Sequence, residues 1–400
     1  MCRTSFEVAD VLRRHLADYQ ATHRLSLQQY KAVQAIMHCR TAALGGHVDA
    51  CTACGHWVVS YNSCGNRHCP KCQWSAQQRW IKNRMEELLP VTYFHLVFTL
   101  PDALNSVVMN NEAKMYNLLF RAVWETLNQL ARQPKWLGAQ AGMIAVLHTW
   151  GQNLSLHPHL HCIVPGGGLT DDGHNWINSR DKCFLPARVL SRLFRGKFLH
   201  ALRSMYQQGQ LEFHGQAALL AEDKPFKQLL TALYKSEWVV YAKRPFGGPE
   251  QVINYLGRYT HRIAISNRRI LSLQNGKVSF VYKDYRQDGQ QKTMTLDAVE
   301  FIRRFLQHCL PPGFHKIRYY GILSIRNRKT KLANLQRSLG YQPKQAQAEI
   351  KTAPSNSCPL CGLSAMQHLG KIPTRIFRIN PTSAYHLPCP RAPPTTAATN

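Results

Sequence analysis

Hydrophobic positions along this chain change period from segment to segment. Over Glu7–Gln20, Val8, Val11, Leu12 and Leu16 fall on one face of a 3.6-residue repeat and predict an amphipathic helix. A second helix is predicted from Leu27, with Ser26 as N-cap and Gln29 completing a capping box. Ser75–Leu89, Ala103–Ala131 and the basic stretch Arg188–Gln207 also read as helices. Between them the period shortens. Thr92–Leu100 is β-branched and aromatic, bounded by Pro90 and Pro101, and predicts a buried strand. Met143–Trp150 predicts another, and Gly151-Gln152-Asn153 should turn it into a hairpin with the segment that follows. Glu237–Tyr241 reads as a short strand. Asn275-Gly276 and Asp288-Gly289 sit between strand-like runs and predict a three-stranded meander. Asp297 and Glu300 then open a helix to about Cys309.

The segment after the hairpin turn, Leu156-His157-Pro158-His159-Leu160-His161-Cys162-Ile163-Val164-Pro165, adds chemistry to the pattern. On a strand His159 and His161 share one face and Leu160 points the other way. Two imidazoles side by side on a rigid strand make half of a divalent-metal site. His157 belongs to the same alternating set, but Pro158 lacks a ladder donor, so the regular strand is expected to start at or after it. Gly166-Gly167-Gly168 reads either as a strand-ending turn or as room for a nucleic-acid backbone.

A second candidate element is Pro249-Glu250-Gln251-Val252-Ile253-Asn254-Tyr255-Leu256-Gly257-Arg258-Tyr259-Thr260-His261-Arg262. Pro249 suits the first turn of a helix. Tyr255 and Tyr259, four residues apart, would then lie on nearly the same face, roughly 6 Å apart along the axis. Arg258 and Arg262 flank them. Farther on, Arg318, Arg326, Arg328, Lys329, Lys331 and Arg337 make a basic segment suited to a DNA backbone.

Charge sharpens this reading. Across 400 residues, 50 Lys and Arg face 22 Asp and Glu, a formal net charge of +28. Such a field favours polyanions, nucleic acid first among them. The basic residues are dispersed rather than gathered on one amphipathic helix, and no apolar run approaches the roughly 20 residues that span a bilayer, so no membrane partner is expected. The N-terminal residues show no apolar signal core, which points to a reducing cytoplasm. There, CxxC pairs among the 13 cysteines read as metal ligands rather than disulfides. Cys51-Thr52-Ala53-Cys54 and Cys69-Pro70-Lys71-Cys72, separated by 14 residues, match a tetrahedral Zn²⁺ site, and Cys51, Cys54, Cys69 and Cys72 are the expected ligands. Cys64, His56 and His68 are spare donors. Arg67, Lys71, Arg79, Lys82 and Arg84 surround this module and could grip phosphates. Cys358-Pro359-Leu360-Cys361 is a further knuckle, with Cys389 as its one neighbour in sequence. Residues 342–349 read as a polar linker, and the Pro-, Thr- and Ala-rich end as disordered. No GxxxxGK[ST] loop is present, so no nucleotide cofactor is expected.

Together the Cys-rich N-terminal module, His157-Pro158-His159-Leu160-His161 before Cys162-Ile163-Val164-Pro165-Gly166-Gly167-Gly168, and Tyr255-Leu256-Gly257-Arg258-Tyr259-Thr260-His261-Arg262 resemble the two-tyrosine HUH transposases of the insertion-sequence 91 family. Leu310-Pro311-Pro312-Gly313-Phe314 and Ile317-Arg318-Tyr319-Tyr320-Gly321 look like its downstream motif. The resemblance runs from about Cys39 to about Gly340. It implies an α+β fold: an HUH nuclease domain with a central antiparallel sheet flanked by helices, plus a small N-terminal zinc-binding module. The expected division is residues 1–90 for the N-terminal helices and zinc module, 91–340 for the nuclease domain, and 341–400 for linker, knuckle and tail. Carried over, His159 and His161 would hold Mg²⁺ or Mn²⁺, and Tyr255 and Tyr259 would be the nucleophiles. Gln152, His157 and His261 are candidates for a third ligand, among which the sequence does not choose, and Arg258 and Arg262 would contact DNA. The implied partners are the single-stranded ends of a mobile element and its target DNA, in a bacterial cytoplasm at the nucleoid or a plasmid. A zinc-stabilised DNA-binding regulator would explain the charge and cysteines but leaves the histidines and tyrosines idle. An HxH metal hydrolase would use the histidines but predicts no tyrosine adduct.

Overall fold

Thirteen strands alternate with helices in the computed structural model, which describes residues 6–180, 184–243, 251, 253, 254, 257, 260, 264–284, 287–340 and 357–374. In chain order the strands are β1 Gly46–Cys51, β2 Trp57–Tyr61, β3 Tyr93–Thr99, β4 Gly142–Trp150, β5 Leu156–Pro165, β6 Gly167–Leu169, β7 Trp176–Asn178, β8 Val240–Lys243, β9 Ile270–Gln274, β10 Lys277–Asp284, β11 Gln290–Asp297, β12 Ile317–Gly321 and β13 Met366–Ile372. Five of them form the central sheet in the order β12-β4-β5-β3-β8, every neighbouring pair antiparallel. Helices cover it, so the expected α+β architecture with a central antiparallel sheet is the one observed.

Strand periodicity divides the central sheet into two chemically distinct faces. Phe94, Leu96 and Phe98 of β3, Met143, Ala145 and Leu147 of β4, and Leu160, Cys162 and Val164 of β5 enter one hydrophobic core. The helices Glu112–Ala131 and Ala187–Gln207 close that core with Leu119, Phe120, Val123, Phe194 and Phe198. The intervening residues face the opposite way. A one-residue slip of β5 would drive its histidines into this apolar core, so burial fixes the register firmly.

The strand expectations hold within two residues except at β8, which starts three residues later than expected, and there are informative exceptions elsewhere. β5 starts two residues before Pro158, not after it. The β4–β5 register shifts between His148 and Trp150, opposite the proline, so an irregularity absorbs the missing donor. The long helix expected over Ala103–Ala131 is interrupted at Asn111, which separates helices Asn105–Asn110 and Glu112–Ala131. The Asn111 side chain donates to the Glu212 carbonyl at 2.7 Å and accepts the Glu212 N–H at 2.9 Å, so a tertiary contact replaces helix continuity. Ser26 caps its helix as expected: its Oγ accepts the Gln29 N–H, and Gln29 Oε1 accepts the Ser26 N–H. Asp297 occupies the N-cap of helix Ala298–Leu306 without a side-chain cap bond, while Glu300 pairs with Arg303 and Arg304. The meander forms as β11-β10-β9, with positive φ at Asn275, Gly276, Asp288 and Gly289.

Contacts divide the chain differently from the three contiguous segments expected. One unit comprises residues 1–39 and 63–355, the other residues 40–62 and 356–400. In the first unit the N-terminal helices Val8–Thr22 and Leu27–His38 share a core with Phe280, Phe301 and Phe305. In the second, β1 pairs with β13 and β2, joining sequence ends that the linear reading kept apart. Among the described residues, no helix is long and apolar enough to cross a membrane.

Candidate active site

His159 and His161 project from the face of β5 opposite that apolar core, with Leu160 buried behind them, as alternation requires. His148 stands directly opposite His159 on β4, and His95 on β3 is in register with Ile163. Residues paired across antiparallel strands share a face, so His95, His148, His159 and His161 gather on one side of the sheet. One ring nitrogen from each of His148, His159 and His161 lies within 4.8 Å of the other two. His148, which the sequence reading did not single out, thus stands in a group with His159 and His161 that the His157 side chain does not join.

Hydrogen bonds orient these rings. His159 Nδ1 lies 2.6 Å from the His157 carbonyl, which accepts its proton and leaves Nε2 with a free lone pair. His161 Nδ1 is 2.8 Å from His95 Nε2. The two Nε2 atoms of His159 and His161 then face each other at 3.1 Å. A neutral His161 can donate Nε2–H to His159 across this gap, and in its other tautomer the two lone pairs face each other and can bind one cation. Two adjacent ligands of an octahedral ion with bonds of about 2.1 Å would sit roughly 3.0 Å apart, so the spacing fits a cation. Burial holds His159 and His95 down to about 4. Burial, reinforced by His148, His159 and His95, pushes His161 well below the ordinary histidine value. Neutral imidazoles at pH 7 are the form that binds metal.

His157 contributes its main chain instead. Its side chain is 40% exposed and Nδ1 lies 3.7 Å from Asp102. Gln152 sits in the β4–β5 turn, where its carbonyl accepts from Arg269. Tyr255, Arg258, Tyr259, His261 and Arg262 lie outside the described residues. Their neighbours Ile253, Gly257 and Thr260 are helical and buried. Ile253 packs in one cluster with Ile144 and Ile163, which are in register with each other. Ile163 shares the face of His161, so Ile253 lies on the histidine side of the sheet.

The glycine triplet serves the protein's own backbone. A Cβ at Gly166 would meet the Thr92 carbonyl at 2.7 Å, one at Gly167 the Ile177 carbonyl at 2.5 Å, and one at Gly168 the Gln140 carbonyl at 2.7 Å. Those contacts let β6 pair with β7 at the end of β5 and leave no opening for nucleic acid there.

The cysteines sort in a way the linear reading did not foresee. Cys69 and Cys72 group with Cys39 and Cys64, and Cys51 and Cys54 with Cys358 and Cys361; each set has its sulfurs within 4.8 Å. The expected set of Cys51, Cys54, Cys69 and Cys72 is thus split between two clusters. The reason is topological: β1 runs into the first knuckle and pairs with β13, which follows the last one. Cys39 and Cys64 lie 3.4 and 3.5 Å from Cys72. His68 joins neither cluster, because its Nε2 accepts the Leu310 N–H at 3.1 Å, and His56 joins neither. Cys389 lies outside the described residues.

Several cations expected to grip phosphate are spent on the fold. The Arg67 guanidinium donates to the carbonyls of Leu310, Pro311 and Phe314. Arg84 is buried and donates to Tyr319 Oη at 2.6 Å, and Lys71 pairs with Glu7 at 2.6 Å. Arg318 lies over the Phe120 and Phe314 rings at 4.2 and 5.1 Å. Arg79 and Lys82 remain exposed.

Comparison with known proteins assigns the family. Residues 142–331 match a family model described as "Putative transposase", and residues 11–100 one described as "Transposase zinc-binding domain". The "Putative transposase y4qJ" of Sinorhizobium fredii is 50% identical over 374 residues, covering 90% of this chain and 94% of that protein. The chain belongs to the insertion-sequence 91 family of transposases. The transposase is also 30% identical, over 301 residues, to the "Transposase for insertion sequence element IS801" of Pseudomonas savastanoi pv. phaseolicola, covering 74% of this chain and 71% of that one. A metal-bound conjugative relaxase TrwC in complex with oriT DNA matches 42% of the transposase and 70% of its own chain, at 16% identity and a TM-score of 0.23, a likeness too slight to build on. In the transposase, the four-cysteine cluster of Cys39, Cys64, Cys69 and Cys72 falls within the matched zinc-binding region, and the histidine strand within the other match.

Proposed function

We propose that this transposase nicks and rejoins single-stranded DNA through 5′-phosphotyrosine links, in rolling-circle transposition. Tyr255 and Tyr259 are the nucleophiles, His148, His159 and His161 the ligands of Mg²⁺ or Mn²⁺, and Arg258 and Arg262 contacts to the DNA. The observation that carries this reading is the convergence of three imidazoles on the sheet face against which Ile253 packs. Ile253 is two residues from Tyr255 in sequence, which supports bringing the tyrosines and the imidazoles into one site.

The donor set fits such an ion in charge and spacing. Three imidazoles are softer donors than these ions ordinarily take alone. Oxygens of a bound phosphodiester would complete the set, so tight occupancy is expected with DNA present. When bound, the cation polarises the scissile phosphate and offsets its developing charge. The protein's own residues do the rest. His95 and the His157 carbonyl orient His161 and His159, and burial keeps both rings unprotonated. A tyrosine Oη forms the bond to phosphorus as the P–O3′ bond breaks, the phenolic proton is lost, and the departing O3′ ends as a hydroxyl. One phosphodiester is exchanged for another, so rejoining needs no ATP. A second tyrosine permits a second strand to be cut while the first stays attached. The net charge of +28 supports DNA as the partner. Zn²⁺ in the cluster of Cys39, Cys64, Cys69 and Cys72 is structural, since four thiolates leave no open position.

The test incubates the purified protein with Mn²⁺ and single-stranded oligonucleotides from the element's ends. A covalent protein–DNA band that survives denaturation is expected. It should vanish in Tyr255→Phe/Tyr259→Phe and lose its metal dependence in His159→Ala/His161→Ala. A band of full strength in the double tyrosine variant would remove the nucleophile assignment.

A further inference from the structure

Among its described residues, the unit made of residues 40–62 and 356–400 has a sheet but no apolar core of its own. None of its described residues enters any of the three hydrophobic clusters. Its strands, in the order β13-β1-β2, are half-buried or exposed along most of their length, with Trp57 57% and Leu369 63% exposed. Folded units this small, lacking a core, need another source of stability, and a metal or a disulfide is the usual one.

The two CxxC knuckles of this unit are built to one plan. In Cys51-Thr52-Ala53-Cys54-Gly55 the Gly55 N–H donates to the Cys51 carbonyl at 2.9 Å, and the Cys51 N–H to the His56 carbonyl at 2.7 Å. In Cys358-Pro359-Leu360-Cys361-Gly362 the Gly362 N–H donates to the Cys358 carbonyl at 2.9 Å, and the Cys358 N–H to the Leu363 carbonyl at 2.7 Å. Gly55 and Gly362 both take positive φ, 71° and 75°, where a side chain would be strained. Both knuckles adjoin the same strand pair, because Cys51 is in register with Met366 at the start of β13. Their sulfurs meet crosswise, Cys51 with Cys361 and Cys54 with Cys358, each at 3.6 Å. A disulfide would need about 2.0 Å. Four thiolates around one tetrahedral ion, with bonds of about 2.3 Å, stand roughly 3.8 Å apart. The arrangement therefore has the dimensions of a tetrathiolate metal site.

We infer that Cys51, Cys54, Cys358 and Cys361 bind a second structural Zn²⁺, independent of the cluster at Cys39, Cys64, Cys69 and Cys72, which clasps residues 357–372 to the β1–β2 hairpin. The ligands come in pairs from positions some 300 residues apart, so the N-terminal knuckle is half a site until the C-terminal one arrives. All four positions are sulfur, which makes the site a fastener rather than a catalytic centre. The zinc count does not depend on the nuclease reading, and either can fail without the other.

The experiment is a metal count on the full-length protein by inductively coupled plasma mass spectrometry after gel filtration. Two zinc ions per chain and no iron are expected. Cys358→Ser/Cys361→Ser should carry one, Cys69→Ser/Cys72→Ser should carry one, and the combined variant none. For variants that do not fold, the wild-type chain is measured instead. Its zinc is exchanged for Co²⁺, whose visible absorption reports tetrahedral thiolate coordination, and mass spectrometry after alkylation identifies which cysteines the metal protects. Protection of Cys51, Cys54, Cys358 and Cys361 supports the site. A wild-type chain with one zinc, a Cys358→Ser/Cys361→Ser protein that keeps two, iron in place of zinc, or alkylation of Cys358 and Cys361 in the loaded protein overturns it.

Discussion

His95 Nε2 lies 2.8 Å from His161 Nδ1, with the two rings 4° from parallel and their centroids 5.1 Å apart. The contact spans neighbouring strands: His95 is on β3, and His161 is two residues along β5 from its register partner Ile163. It holds one nitrogen of His161 so that the other faces His159. Partners of this kind fix the tautomer and the direction of a ligating imidazole, and their removal costs roughly 10- to 100-fold in metal affinity. His95→Ala should therefore raise the Mn²⁺ concentration needed for half-maximal adduct formation by about that factor. His95→Gln, which restores a hydrogen-bonding group, should recover part of the loss. Binding of single-stranded oligonucleotide without metal should be unchanged. A metal titration that superimposes on wild type would show that His95 merely packs.

His148 and His157 make a paired test of the third ligand. His148 is 2% exposed with one ring nitrogen in the imidazole cluster, whereas the His157 side chain turns toward Asp102. His148→Ala is expected to reduce metal-stimulated adduct formation at least 100-fold, in line with loss of about 3 kcal/mol. His157→Ala keeps the backbone carbonyl that holds His159 and should stay within about threefold of wild type, a difference under 1 kcal/mol. The reverse ranking in a single-turnover assay would return His157 to the site.

The elements behind this site were largely legible because their periods are clean. Leu160 flanked by His159 and His161 fixes which side of β5 is core, and Asn275-Gly276 fixes a hairpin turn by φ alone. His148 and His95 were not legible. Each sits alone in an apolar strand, and what joins them to β5 is inter-strand register. The pairing of Cys51 and Cys54 with Cys358 and Cys361 escaped for a related reason. Two knuckles close in sequence look like one site, and only the β1–β13 pairing reassigns them. Asn111 broke a helix that local pattern continued, through its two bonds to Glu212. In each case the missing information is a contact between distant segments.

Gly257, between Tyr255 and Tyr259 in sequence, packs against the helix Gln73–Met85. A Cβ at Gly257 would lie 2.3 Å from Ile81 Cγ1 and 2.4 Å from Cδ1. Alanine is favoured over glycine within a helix by about 1 kcal/mol, but forcing a methyl into a filled space costs about 1–3 kcal/mol. The clash involves a branch atom of Ile81 as well as its tip, so the cost should win. Gly257→Ala is expected to lower the melting temperature and to reduce adduct yield by displacing Tyr255 and Tyr259. Ile81→Ala should restore much of both in the double variant, despite being destabilising alone. Strictly additive effects in this cycle would mean that the two positions do not press on each other.

Acid sensitivity should trace in part to His308. This ring is 1% exposed, with Nδ1 3.1 Å from Thr149 Oγ1 and Nε2 3.2 Å from the Leu154 carbonyl. The neutral ring satisfies both contacts: Nε2–H donates to the carbonyl and Nδ1 accepts from the hydroxyl. Burial pushes its pKa from 6.5 down to about 4, partly offset by the Leu154 carbonyl. Between those values the unfolded chain binds the proton that the folded chain refuses, so stability rises with pH across that window. The contribution is complete above about pH 6.5 and is lost as pH falls toward 4, amounting to something on the order of 3 kcal/mol. His95 and His159, also held near 4, add to the same trend. His308→Gln should be less stable than wild type at pH 7.5, and that deficit should shrink at pH 5, since glutamine takes up no proton. Urea denaturation at the two pH values, without added divalent cation, measures this directly. A stability gap that stays constant between them would show that His308 titrates alike in the folded and unfolded chains.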